Sequence, residues 1–261
     1  MSLPSNVEDG HYAKKQLGSR SRLIAWSHRS RFQLGLRLAE RLAGQRVLDY
    51  GCGDGTFLAF LMDTSFAPAV AVGAEIDDGQ VNDCRTRLGA DPRLSFIRTE
   101  ALTRAEHRHA FDGLFCMEVL EHVIDWAPLF ERWKWLVKPG GTIVVSVPIE
   151  TGPALVVKQA VRRVAGWRGI GDYPGSAPYT WEEYARSLFA GRRQHIRRPV
   201  HRSPDGAESH CHKGFNWRVL RSALADRFVL EGTYNSPVGW LPSGLGSQVW
   251  FVLRNAEPGA P

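Results

Sequence analysis

The run Met117-Glu118-Val119-Leu120-Glu121-His122-Val123 places two carboxylates and an imidazole within five residues. If a helix begins there, Glu118, Glu121 and His122 stand at i, i+3 and i+4 and share one face. Such a trio suits a divalent cation, Mg²⁺, Mn²⁺ or Zn²⁺. It also suits proton abstraction without a metal, because imidazole titrates near neutral pH. Further along, His210 and His212 flank Cys211 in the stretch 209–217. That stretch offers a fourth ligand or a second base, but not the paired spacing of a structural zinc site. His122 and His212 are therefore the two candidate bases.

These groups need a scaffold, and the strongest scaffold signal lies upstream. In Val47-Leu48-Asp49-Tyr50-Gly51-Cys52-Gly53-Asp54-Gly55-Thr56-Phe57-Leu58 an apolar run ends in an acid. Three alternate glycines follow, and then a second apolar run. The pattern predicts a buried strand, a tight turn and a helix start, with main-chain N–H groups open to a ligand. The runs 69–75 and 94–100 read as a second and a third strand, each ending in an acid, Glu75 and Glu100. Glu75 lies 20 residues beyond Gly55, where dinucleotide-type folds place a carboxylate for ribose hydroxyls. Residues 111–117 read as a fourth strand. Residues 136–147 read as a helix end, a Pro-Gly-Gly turn and a fifth strand.

The series resembles the class I S-adenosylmethionine (SAM) methyltransferases over residues 45–150 and again over 214–254. The Asp-x-Gly-x-Gly-x-Gly spacing and the Lys138-Pro139-Gly140-Gly141 turn set it apart from nicotinamide-binding Rossmann domains. The resemblance implies an α/β, Rossmann-like fold whose seven-stranded sheet ends in an antiparallel strand. It implies that Asp49, Gly51 and Gly53, with Cys52 between them, cradle the methionine part of SAM. Glu75 and its neighbour Ile76 would hold the ribose, Glu100 and Ala101 the adenine, and Met117 would border the cofactor. Glu100 departs from the commoner aspartate by one methylene. N-terminal helices of this family close over SAM, which brings His11 and Tyr12 toward it.

Within the superfamily, the run 116–123 with 136–141 is similar to the ubiquinone-biosynthesis O-methyltransferases. Glu118-Val119-Leu120-Glu121-His122 with His212-Lys213-x-Phe215-x-Trp217 is also similar to the small-RNA 2′-O-methyltransferases. Carried over from the latter, Glu118, Glu121, His122 and His212 would ligate a metal. In metal-free class I enzymes the same residues only cap a helix and line the pocket. No Asn/Asp-Pro-Pro-Tyr follows strand four, no Pro-Cys nucleophile is present, and no arsenite-type cysteine set occurs. O-methylation of a small or lipid-linked acceptor is thus the leading expectation. N-methylation of an amino sugar or other amine and 2′-O-methylation of RNA follow it. A SAM-binding or nucleic-acid-binding protein without catalysis is the reading from another class.

Composition bounds these expectations. The 261 residues are 43% hydrophobic and 23% charged, which suits one globular core. The polar N-terminus has no apolar signal segment, and the four cysteines lack paired spacing. A reduced, cytoplasmic setting is expected. The net charge of +6 is uneven. Residues 13–31 and 186–202 are basic and acid-free, which suits phosphate-bearing substrates, nucleic acid or an anionic membrane face.

The expected organisation is an N-terminal lid and helix region, 1–44, with a helix over 21–42. A SAM-binding core, 45–148, follows, and then an insertion, 149–213, for substrate recognition. The core resumes over 214–254 with a helix at 215–226 and strands at 228–234 and 247–253, and a tail, 255–261, ends the chain. Within the insertion, 155–167 reads as a basic amphipathic helix. It is expected to be a lid, or else an apolar face for a lipid-like substrate or peripheral membrane contact. Tyr173, Tyr179, Trp181, Tyr184 and Phe189 supply aromatic surface for a pocket or for the insertion's own small core.

Overall fold

The computed structural model describes residues 7, 9–12, 14, 17, 22–167, 179–202, 208–242 and 244–256, the side chains of 22–24 and 161–167 excepted. Tyr173 and most of the N-terminal twenty residues lie outside that set.

Seven strands form one sheet in the order β3-β2-β1-β4-β5-β9-β8. They are β1 (Arg46–Tyr50), β2 (Val70–Glu75), β3 (Leu94–Arg98), β4 (Phe111–Met117), β5 (Val137–Pro148), β8 (Val229–Ser236) and β9 (Gln248–Arg254). The first five run parallel, and β9 is antiparallel to both β5 and β8. The expected hairpin at the end of the sheet is therefore present. Its strands rank eighth and ninth in the chain because the insertion holds a hairpin of its own, β6 (Val200–Arg202) with β7 (Glu208–His210). Three-residue strands without apolar alternation leave no sequence signal.

The strands alternate sides. Val47 and Phe115 face one layer with Phe32, Leu58, Val81 and Leu88. Leu48 and Leu114 face the other with Phe130, Trp133, Leu220 and Leu224. The first layer is α1 (Arg22–Ala39), α2 (Thr56–Met62) and α3 (Asp78–Leu88), and the second is α4 (Trp126–Leu136) and α7 (Trp217–Ala225). Side chains fix three of these helix starts. Asp77, Asp125 and Asn216 each accept a backbone N–H of the first turn, at 2.8, 3.0 and 3.1 Å, contacts worth about 1 kcal/mol each.

The insertion holds α5 (Pro153–Trp167), α6 (Trp181–Leu188) and the small hairpin. Ala154 and Leu155 of α5 are buried, whereas Val156 and Val157 are 45% and 63% exposed. Among the described side chains of that helix, only those of the first turn pack as a lid would. Among the described residues no helix is long and apolar enough to cross a membrane.

Candidate active site

The strand order reverses between β1 and β4, and in open α/β sheets the crevice at that point takes the ligand. A cavity of about 660 Å³ lies there. The glycine turn after β1 forms its floor. Gly51 has φ +77°, and a Cβ on it would sit 2.5 Å from Val119 Cγ2. The β1 turn and the β4 turn thus touch through a missing side chain. Gly55, also left-handed at φ +73°, caps α2.

The lining includes Tyr12, Asp49, Gly51, Cys52, Gly53, Glu75 and Met117 of the expected cofactor residues. Ile76, Glu100 and Ala101 are not part of it. Ile76 is 60% exposed. Strand β3 stops at Arg98 rather than at Glu100, which falls in a short 3-10 turn. The Glu100 carboxylate turns to Arg98 at 2.9 Å, and that hydrogen bond holds it below its usual range.

Two acids of this wall are satisfied and one is not. Glu75 accepts the N–H of Gly53 at 2.9 Å and of Ile76 at 2.7 Å. Asp54 accepts the N–H of Thr56 and of Tyr12, at 3.2 and 2.7 Å. Asp49 is 1% exposed, and neither carboxylate oxygen has a partner. Burial, with the charge of Glu75, pushes its carboxyl up to about 8. An ammonium group in the cavity would supply the missing donor, which the methionyl end of SAM carries.

The N-terminal segment closes one side. The Tyr12 ring packs edge-on to His28 and Phe32, and its hydroxyl accepts from Arg31 and meets His28 Nδ1. Burial raises the phenol to about 12 and lowers His28 to about 3, so both are neutral at pH 7. Arg31 is 7% exposed and pairs with Glu118 at 3.4 Å. Reading 13–31 as a basic surface therefore fails at Arg31. Arg31, Phe32, Asp54, Thr56, Gln80 and Asp83 also line the cavity. Sequence reasoning missed all six, although Asp54 and Thr56 stand inside the glycine turn itself.

The expected helix at 118 is absent. Residues 118–125 are turn and loop, and the next helix starts at Trp126. Glu118 is left-handed at φ +58°, a strained setting for a glutamate. Its N–H donates to Ser146 O at 2.9 Å, and its carboxylate faces Arg31 and Ser146 Oγ. The turn separates Glu118 from Glu121 and His122 instead of stacking the three.

Glu121, His122 and His212 do come together. One ligand atom from each lies within 4.8 Å of the other two, and Glu118 is not in this group. His212 Nδ1 is 3.6 Å and His122 Nε2 is 3.9 Å from Glu121 Oε1. The imidazole rings meet edge to face at 4.6 Å. His122 Nδ1 lies 2.8 Å from His210 O. A carbonyl only accepts, so Nδ1 carries the proton and Nε2 presents a lone pair. Glu121 is fully buried with both oxygens unpartnered, and burial with the nearby Glu118 pushes its carboxyl well above the usual range. A buried carboxylate without a donor, beside an imidazole lone pair, has the chemistry to hold a cation. His210 and Cys211 stand outside the group, and all four cysteines are free thiols.

Arg198 holds this corner from the insertion. Its guanidinium donates to the carbonyls of Glu121 and Cys211 and lies over the Phe215 ring at 5.1 Å. Burial lowers it to about 10. It is a clamp rather than part of a solvated basic face.

Residues 23–192 match a family described as a methyltransferase domain. The chain belongs to that family, within the class I SAM-dependent methyltransferases. It is 37% identical over 144 residues to a ubiquinone biosynthesis O-methyltransferase of Psychrobacter cryohalolentis, covering 51% of this chain and 53% of that protein. It is 33% identical over 121 residues to a protein of the same name from Bradyrhizobium diazoefficiens, covering 44% and 45%. The chain thus spans about half the length of these relatives. A SAM-dependent methyltransferase of Mesorhizobium loti shares the fold, with a TM-score of 0.51 at 15% identity over 85% of this chain and 96% of that one.

Proposed function

We propose that the protein transfers the methyl group of SAM to a hydroxyl of a small or lipid-linked acceptor, and that Glu121, His122 and His212 hold a divalent cation at the transfer site. The observation that carries the reading is the position of His122. It lines the donor cavity and also belongs to the cation-competent group. The matched relatives are named for O-methylation in ubiquinone biosynthesis, which supports oxygen as the acceptor atom.

When bound, SAM supplies an electrophilic methyl group on a sulfonium. The chain supplies alignment and proton removal. Asp49 accepts the donor's ammonium, and Glu75 accepts its ribose hydroxyls while Gly53 and Ile76 fix the carboxylate in place. Tyr12 and Met117 wall the cavity. Holding acceptor and methyl in line is the largest available effect, up to ~7–11 kcal/mol. A bound divalent cation would make an acceptor hydroxyl more acidic. His122 Nε2 otherwise takes the proton itself, with His210 O fixing the tautomer.

The test is incubation with methyl-labelled SAM and cell extract, partitioned into organic, aqueous and RNA fractions, with and without EDTA. Label in an organic-soluble ether, lost in EDTA and restored by Mg²⁺, Mn²⁺ or Zn²⁺, supports the reading. Label in amines or in RNA moves the acceptor to those classes. No label from any fraction leaves a SAM-binding protein without transfer.

A further inference from the structure

A second cavity, of about 310 Å³, is lined by Arg192, Trp217, Arg218, Arg221, Ser222 and Thr233. It shares no residue with the donor cavity. Helix α7 supplies four of the six, with Arg218, Arg221 and Ser222 on one face at i, i+3 and i+4. Strand β8 supplies Thr233. Arg192 comes from the loop after α6, and the Asn216 amide ties that loop down by donating to Gly191 O and Gln194 O, both at 2.9 Å.

The lining carries three guanidiniums and no carboxylate. Among the described residues none of the three has an acidic partner, whereas Arg31, Arg87, Arg93 and Arg98 each have one. Two donors are buried without an acceptor, Arg218 Nη1 and Trp217 Nε1. The Arg218 guanidinium lies over the Trp217 ring at 4.7 Å. Its burial and the like charge of Arg192 pull it below its usual range. Three cations gathered in a recess, with donors left over, form a site whose missing member is an anion.

The arrangement also selects the anion. A carboxylate is planar and takes one guanidinium edge-on. Here donors arrive from a helix face, a strand and a loop, which suits the several oxygens of a tetrahedral group. The hydroxyl of Thr233 adds one more donor, while that of Ser222 donates to Arg218 O at 3.2 Å. Helix α7 begins at the carboxyl edge of the sheet, where the donor cavity also lies. Its cavity borders β8, three strands from β4 in the order β4-β5-β9-β8, or about 14 Å at ordinary strand spacing.

We propose that Arg192, Arg218 and Arg221 form a phosphoryl-binding site, separate from the methyl-donor cavity, for a soluble phosphorylated ligand or a lipid phosphate headgroup.

Pyrophosphate titrated into the full chain by calorimetry tests the soluble source. Co-sedimentation with phosphatidylcholine vesicles, with and without phosphatidic acid, tests the lipid source. The expected result is binding in at least one arm, weakened by about tenfold or more in Arg218→Ala, the loss of one charged hydrogen-bonding group. SAM affinity should be unchanged in that variant, which checks its fold. Arg221→Gln, a second guanidinium of the lining, gives the same readout if Arg218→Ala does not fold. Binding of pyrophosphate alone assigns a soluble ligand, and capture only by phosphatidic acid vesicles assigns a headgroup. No binding in either arm, or binding undiminished in both variants, overturns the proposal.

Discussion

The two ends of the donor cavity are built differently. At the glycine-turn end, Glu75 accepts two hydrogen bonds and Asp54 three, at least one of each from backbone close in sequence. At the other end, Glu121 is buried with no donor, against His122 beside it and His212 some ninety residues on. The first end is complete as it stands. The second carries an unmet charge that only a cation or a proton relieves. Asp49 combines the two, on the strand that leads into the turn of the first end but with the unmet burial of the second. The contrast teaches that a carboxylate's partners, more than its burial, tell whether it serves the fold or waits for a ligand.

The sharpest way to break the comparison is Glu121→Gln. If Glu121 waits for a cation, activity should fall about a hundredfold or more. The metal-free protein should melt at about the same temperature, because Gln has the shape of the protonated carboxyl that burial favours there. Retained activity together with a lowered melting temperature would make Glu121 an ordinary structural residue. Next in size is Glu75→Ala. Charged hydrogen bonds of this type are worth about 1.5–3 kcal/mol, so SAM affinity should drop by roughly tenfold or more by calorimetry. Unchanged affinity would take Glu75 off the ribose.

Asp49 gives a pH test of intermediate size. Its folded-state value, about 8, lies above the unfolded one near 4. The neutral form therefore stabilises the fold. That contribution is whole below about pH 4 and is lost as pH rises through about 8. Thermal melts of the donor-free protein should show stability falling across that window, and Asp49→Asn should flatten the slope. Binding of SAM at about pH 7 should release a proton, seen as a dependence of binding heat on buffer ionisation. A flat profile in both proteins would place the Asp49 charge elsewhere. The smallest effect is expected from Glu100→Ala. Its carboxylate faces Arg98 in solvent, so SAM affinity should change by less than about threefold. A larger loss would mean that the turn after β3 swings in to hold adenine.

The same contrast governs what could be read from the sequence. The glycine turn, the five parallel strands and Glu75 were legible because each rests on residues adjacent in the chain. The fold's closing hairpin was legible by its apolar runs. The trio at 118–122 was misread as a helix. Nothing in those residue types announces a left-handed Glu118, which Arg31 and Ser146 hold from distant elements. Arg31 and Arg198 were read as surface charge for a related reason. Their burial follows from Tyr12, Phe32 and Phe215 packing over them, not from local composition. Glu121 was named in advance from its residue type and spacing and His212 through resemblance, and only folding brings them within reach.

The strand order carries a consequence for synthesis. Strand β9 is the last of the sheet in the chain, yet it lies between β5 and β8 and buries Val249, Trp250, Phe251, Val252 and Leu253. Until it emerges from the ribosome, β8 has no strand to pair with and β5 keeps an open apolar edge. The donor half, β1 to β4, has its strand partners long before that. A nascent chain that stalls ahead of Gln248 therefore presents an unpaired edge beside a nearly finished nucleotide fold, a species prone to edge-to-edge aggregation rather than a harmless fragment.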